Sequence, residues 1–160
     1  MRIHIGGDHA AYDLKAALVA HLQAAGHEVH DHGPALLDEQ DDYPVYVLRA
    51  AEAVAGDAGS LGVVLGGSGN GEQIAANKVT GIRAALAWAP DLARLAREHN
   101  DARVVSIGAR FTSQEEAAEI VDTFVGTAFS DGERHRRRIG MVTAYESTRA
   151  LPALPGAATH

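Results

Sequence analysis

The sequence predicts an α/β protein built on a parallel sheet with helices on both faces. Short apolar runs alternate with segments of helical period, and single segments of that kind separate successive runs. The apolar run at 61–65 also opens directly into Gly66-Gly67-Ser68-Gly69-Asn70-Gly71-Glu72-Gln73, a glycine-rich strand-to-helix turn.

Residues 2–6 form the first strand candidate. Leu14, Leu18 and Leu22 then recur at i, i+4 and i+8, the period of a helix, which Gly26 stops. Residues 27–31, centred on Val29, are a weaker second strand. Asp41 or Asp42 can cap a second helix with Pro44 near its first turn, running to about Gly56. The third strand, 61–65, leads through the glycine turn into a helix that Ile74-Ala75-Ala76-Asn77-Lys78 can continue. Residues 82–87 form strand four, 91–98 a helix, and 103–107 strand five. Ser113 with Glu116 makes a capping box for a helix reaching about Thr127. A last helix spans about 131–147. Five strands joined by single helices give a doubly wound, Rossmann-like five-stranded parallel sheet with an extra C-terminal helix. Residues 1–150 are expected to be one domain, and the Pro-containing tail 151–160 to be extended or disordered.

Composition narrows the function. The chain has 160 residues, 46% of them apolar and 22% charged, ordinary values for a globular domain with a real core. A net charge of −7 argues against nucleic acid or an anionic membrane as the main partner. Its positive charge is crowded, with Arg134, Arg136, Arg137 and Arg138 in one short stretch. There is no cysteine, so disulfides and thiolate chemistry are excluded. No apolar run approaches the length of a membrane span and no charged-then-apolar leader opens the chain; the expectation is a soluble, cytoplasmic protein.

In a parallel sheet, ligands bind outside the carboxyl ends of the strands, a rule that sorts the polar residues. After strand one come Asp8 and His9, readable as a helix cap and first-turn residue, or as groups for a sugar hydroxyl and a phosphate. After strand three, glycines 66, 67, 69 and 71 let backbone N–H groups converge on an anion, with Glu72 beside them. A base next to an oxyanion hole suits proton removal from a carbon beside a carbonyl. A plain glycine turn with Glu72 in the first turn of a helix fits the same residues. After strand five, Arg110 suits an anionic substrate. Arg134 and Arg138, four apart, share a helix face that is either a phosphate grip or a solvated basic surface. His99 and Asn100 end the fourth helix, at the opposite edge of the sheet. They are a helix C-terminal charge and cap, or they serve the crevice of a neighbouring subunit.

Taken in order, these residues resemble the type B ribose-5-phosphate isomerases, in the sugar-phosphate isomerase family that also holds galactose-6-phosphate isomerase subunits. The matching stretches are Gly7-Asp8-His9-Ala10, Asp42-Tyr43-Pro44, Gly66 to Glu72 with Ala75-Ala76-Asn77-Lys78, Ala96-Arg97-Glu98-His99-Asn100, Gly108-Ala109-Arg110 and the arginine-rich last helix. They cover residues 1 to about 148. Many members carry a catalytic cysteine where this chain has Gly66. The sequence is similar to the actinobacterial branch, in which a glutamate at the place of Glu72 serves as the base.

The resemblance implies interconversion of ribose 5-phosphate and ribulose 5-phosphate, a step of the pentose phosphate pathway. On it, Glu72 moves the proton through an enediolate while His99 and Asp8 open the sugar ring. Ser68 and the backbone of Gly67, Gly69, Asn70 and Gly71 hold the oxyanion. His9, Arg110, Arg134 and Arg138 hold the phosphate, and Tyr43 and Asn100 line the sugar site. No metal or other cofactor is expected. The partner is the sugar-phosphate substrate, and the assembly a homodimer with shared sites, or a tetramer; no nucleic acid or membrane is involved. The same machinery would serve allose 6-phosphate, galactose 6-phosphate or a four-carbon sugar phosphate. A non-catalytic nucleotide- or flavin-binding module is the other class, but the loop lacks the G-x-x-x-x-G-K-[ST] pattern.

Overall fold

The structure, a computed structural model, describes residues 1–154. Its strands are β1 (Arg2–Gly7), β2 (Glu28–Asp31), β3 (Leu61–Gly66), β4 (Ala84–Leu86) and β5 (Val104–Gly108). Its helices are α1 (Tyr12–Ala24), α2 (Tyr43–Gly56), α3 (Asn70–Ala76), α4 (Pro90–Asn100), α5 (Gln114–Gly126) and α6 (Glu133–Thr148). A short 3₁₀ turn, His9–Ala11, precedes α1.

All strand pairs are parallel, in the order β2-β1-β3-β5-β4. β3 is central and buried at every position, which is why it reads as an unbroken apolar run. Ile3, Ile5, Val63, Leu65, Val105 and Ile107 face the layer of α1, α4 and α5, where Leu18, Leu22, Ile120 and Phe124 are fully buried. Val64 and Val104 face α2 and α3, meeting Val47, Ala50, Val54 and Ala76. β1 and β3 therefore send their helices to opposite faces, and a crevice opens between their carboxyl ends. Register brings the three central strands level: Gly7 pairs with Leu65, and Leu65 with Ile107. The turns after β1, β3 and β5 accordingly emerge side by side.

Several boundaries differ from the sequence expectation for local reasons. Strand four shortens to three residues because Ile82 closes a turn onto Val79 and packs under α2. The side chain of Asn77 stands in for a neighbouring strand there, donating to the Ala84 carbonyl and accepting its N–H, both at 2.9 Å. Helix α4 runs to Asn100, and the cap is Asp101, in the left-handed region at φ 43°, rather than Asn100. Asp42 occupies the cap position of α2 but makes no side-chain cap bond. The Ser113–Glu116 capping box forms as expected.

Helix α6 stands apart. None of its residues is buried, and Met141, Val142 and Tyr145 are exposed along it. Glu146 accepts the Gly81 N–H at 3.0 Å, and His135 stacks on His99 of α4. Residues 151–154 have no regular structure and are exposed; the rest of the expected tail, 155–160, lies outside the described residues. No helix of the described residues is long and apolar enough to cross a membrane.

Phe124 is the largest fully buried side chain, so Phe124→Ala should cost about 3–5 kcal/mol. Urea denaturation measures this; a loss below about 1 kcal/mol would mean that the α5 layer is not the anchor it looks to be.

Candidate active site

Glu72 lies in the first turn of α3, reached through Gly69 at φ +79°, a conformation that side chains resist. Ser106 of β5 donates its hydroxyl to the Gly69 carbonyl at 2.7 Å and pins that turn from below. The turn swings Glu72 back over the end of β3, where it is only 4% exposed. A Cβ added at Gly66 would overlap the Glu72 carboxyl group. The carboxyl group thus occupies the space that a side chain at 66 would fill. Burial raises its pKa above the usual carboxylate range, and the nearby Asp8 raises it further. Backbone N–H groups of Glu72 itself and Gly69 pull it partly back.

An open cleft of about 400 Å³ surrounds this carboxyl group, lined by Asp8, His9, Tyr43, Ser68, Glu72 and Arg110, with Gly67, Gly71 and Phe111. The Arg110 guanidinium lies against Gly67, 3.2 Å from where a Cβ would be, and the Tyr43 ring closes on Gly71 in the same way. Backbone bonds from Ala109 to Gly66 (2.8 Å) and from Arg110 to Gly67 (3.1 Å) fix the two turns together. Asp8 accepts the Ala10 N–H at 3.0 Å, as expected of a cap, and it also lines the cleft. Ser68 Oγ accepts from the backbone and side-chain amides of Asn70, each at 3.3 Å. Gly69 is not among the cleft-lining residues, and Asn70 lines a neighbouring apolar groove with Leu86, Trp88 and Phe111.

His9 is tied to Asp41. The Asp41 Oδ1 accepts the His9 backbone N–H at 3.0 Å and lies 2.7 Å from Nδ1. That bond raises the imidazole pKa, Asp8 adds to the rise, and partial burial and Arg110 oppose it. Asp8, His9 and Asp41 are also the one trio among the described residues whose donor atoms lie close enough, within 4.8 Å, to share a cation. The His9 Nδ1 is already engaged with the carboxylate.

The other four expected residues gather elsewhere. His99 and Asn100 end α4, before β5, at the opposite edge of the sheet. The His99 ring stacks on His135 of α6 at 4.3 Å with 11° between planes. Burial lowers the His135 pKa, and His99, Arg134 and Arg138 lower it further; both arginines lie on α6 beside His135. Within one chain, therefore, Glu72, Asp8, Ser68, His9, Tyr43 and Arg110 converge, while His99, Asn100, Arg134 and Arg138 do not join them. Three participants were not foreseen: Asp41 as the partner of His9, Phe111 on the cleft wall and His135 against His99. Asp41 had a signal in the sequence, an acid next to the expected helix cap, but capping explained it equally well.

A doubly wound sheet with a buried carboxyl group, an arginine and a histidine paired to a carboxylate at its crevice defines an α/β domain with a polar site at the carboxyl ends of its strands. Comparison makes this particular: the profile of the Ribose/Galactose Isomerase family matches residues 3–142, and the chain belongs to that family. It is 52% identical to ribose-5-phosphate isomerase B of Mycobacterium tuberculosis, over 98% of this chain and 97% of that protein. It is 42% identical to the enzyme of the same name from Escherichia coli, over 92% and 98%. Among solved structures, ribose-5-phosphate isomerase B from Mycoplasma genitalium with bound ribulose-5-phosphate superimposes with a TM-score of 0.88 at 38% identity, over 92% of this chain and 97% of that one.

The contact between Gly66 and Glu72 yields a sharp expectation. Gly66→Ala should displace the carboxyl group and remove most catalytic activity while the far-ultraviolet circular dichroism stays unchanged. Full activity in that variant would show that the observed position of Glu72 is not the working one.

Proposed function

We propose that this protein is an aldose–ketose isomerase that interconverts D-ribose 5-phosphate and D-ribulose 5-phosphate, with Glu72 as the proton-transferring base. The single observation that carries the mechanism is the buried Glu72 carboxyl group at the mouth of an arginine-bearing cleft. Residues 1–150 act as one catalytic domain, and the enzyme works in the cytoplasm.

The ring opens first: the C1 hydroxyl loses its proton, the C1–O4 bond breaks, and O4 takes up a proton. Asp8 assists from the cleft, and His99 of the partner subunit supplies the acid–base group. Glu72 then takes the C2 proton, the electron pair moves into C1–C2, and the C1 oxygen becomes an enediolate oxygen. The Ser68 hydroxyl and the backbone N–H groups around Gly67 and Gly71 stabilise that oxygen, a contribution of about 3–4 kcal/mol per well-placed donor. Delivery of the same proton to C1, with the C2 hydroxyl proton passing to the C1 oxygen as the C2–O bond becomes a carbonyl, gives the ketose. Burial suits Glu72 to this work, because a raised pKa makes a stronger base. His9 and Arg110 hold the phosphate from within the chain.

The second cluster is the reason for proposing a homodimer with shared sites. A five-residue strand spans roughly 17 Å, too far for a histidine to cross from one sheet edge to the other. A two-fold axis that lays the far edge of one subunit over the crevice of another brings His99, Asn100, Arg134 and Arg138 of the partner subunit to the substrate. The exposed Met141, Val142 and Tyr145 of α6 and Trp88 beside the cleft supply apolar surface for such a contact.

Incubation with ribose 5-phosphate should produce ketose, and Glu72→Gln should lower kcat by about 10²–10⁴ while substrate still binds. The same variant should be more stable than the parent at neutral pH. A carboxyl group with a raised pKa holds its proton in the folded state above the pH at which the unfolded chain releases it, so stability falls as pH rises through that window. Near-normal turnover in Glu72→Gln would sink the assignment.

Mixing tests the shared site. Inactive Glu72→Gln and inactive His99→Asn proteins, after subunit exchange, should form dimers with one intact crevice, because both lesions fall in the other. No recovery of activity, with exchange demonstrated, would exclude the shared-site arrangement.

A further inference from the structure

Asp41 is buried for a reason that the fold does not supply. Its side chain is 4% exposed, and its salt-bridge partner is His9 rather than a lysine or arginine. Its Oδ2 is the one buried side-chain polar atom of the described residues without a hydrogen-bond partner. Leaving a buried carboxylate oxygen unpaired costs free energy. Capping does not account for it either, since the cap position of α2 belongs to Asp42. Both bonds made by Oδ1 go to His9, one to the backbone N–H and one to Nδ1.

We propose that Asp41 is a positioning residue for His9, turning its ring so that Nδ1 is spent on the carboxylate and Nε2 is left for the phosphate of the substrate. This rests on the isomerase reading above and adds to it the residue that sets phosphate affinity. A carboxylate on Nδ1 also favours the charged ring. The charged groups facing His9 are Asp41 from the segment before α2, Asp8 from its own turn and Arg110 from the turn after β5. Asp41 and Asp8 hold the proton on, against Arg110 and partial burial. The imidazolium therefore persists into a pH range where an ordinary histidine is neutral. Phosphate affinity is fully present below that range and is lost as pH rises through the raised pKa.

Asp41→Asn keeps the shape and an acceptor but removes the charge. It should raise KM for ribose 5-phosphate about tenfold near neutral pH with kcat within about twofold, and the rise of KM with pH should begin at lower pH. In the substrate-free protein, the His9 Cε1–H resonance should titrate at lower pH than in the parent. In a His9→Asn background, Asp41→Asn should add less than about twofold to KM. An unmoved His9 titration, or an equal effect of Asp41→Asn with and without His9, would overturn the proposal. The titration needs no turnover. Should the parent protein fail to isomerise ribose 5-phosphate, the isomerase reading falls. Inorganic phosphate added to the substrate-free protein would then decide the positioning role: a His9 shift weakened in Asp41→Asn supports it, and an identical shift in both proteins overturns it.

Discussion

The site depends on one close approach, the Glu72 carboxyl group resting where residue 66 would carry a side chain. β3 can end in glycine because the strand is held by its neighbours on both sides and needs no side-chain anchor at its last position. The left-handed Gly69 then turns the chain within three residues, and the Ser106 hydroxyl locks that turn. With the turn fixed, Glu72 points back over the strand end instead of out to water. Burial of the carboxyl group raises its proton affinity, and the surrounding framework compensates for that cost. A longer residue at 66 and a carboxyl group in this place are mutually exclusive. The absence of a thiol at the strand end and the presence of the glutamate in the helix are thus two sides of one packing decision.

Much of this is legible in the sequence. Strand three was visible because a strand covered on both faces must be apolar throughout, and α5 because its capping box is a local signature. Asp8 and Arg110 are found because each follows a parallel strand, and Glu72 because it also stands beside a glycine-rich turn. Strand order was hidden: β3 pairs with β5 across the intervening β4, a long-range choice that no local period records. Short edge strands were blurred for a related reason, as with β4, where an asparagine side chain completes part of the ladder. The bond between Asp41 and His9 was out of reach because residue 41 sits in a segment without periodicity, where an acid before a helix has a cheaper explanation. His135 was equally hidden, because the angle at which α6 meets α4 is not written in either helix.

The division of the expected residues into two clusters follows from where each stands relative to its strand. Groups that follow a strand collect at one edge; His99 and Asn100, which precede β5, lie at the other, and α6 packs beside them. α6 gives the division its significance. A sixteen-residue helix with no buried residue has little of its own chain to hold it, and a helix of that length is marginal in water without tertiary packing. Its exposed Met141, Val142 and Tyr145 call for another surface. The same helix carries Arg134 and Arg138, so whatever covers its apolar residues also fixes where those two charges lie.

Electrostatics connects these features. The chain carries a net charge of −7, yet the substrate proposed for it is an anion. Distant acids matter little, because salt screens exposed charges beyond about 8–10 Å. Within that radius the balance is set by a few groups: Arg110 and His9, whose proton affinity is raised, against Glu72, Asp8 and Asp41. Glu72 has a raised proton affinity, but Asp8 and Asp41 stand against Arg110 and His9, so one chain offers its cleft little excess positive charge. Two arginines brought by a partner subunit would reverse that balance at the point where the phosphate must sit. Assembly of that kind would do more than complete an acid–base pair; it would create the positive potential that lets an acidic protein hold an anionic sugar.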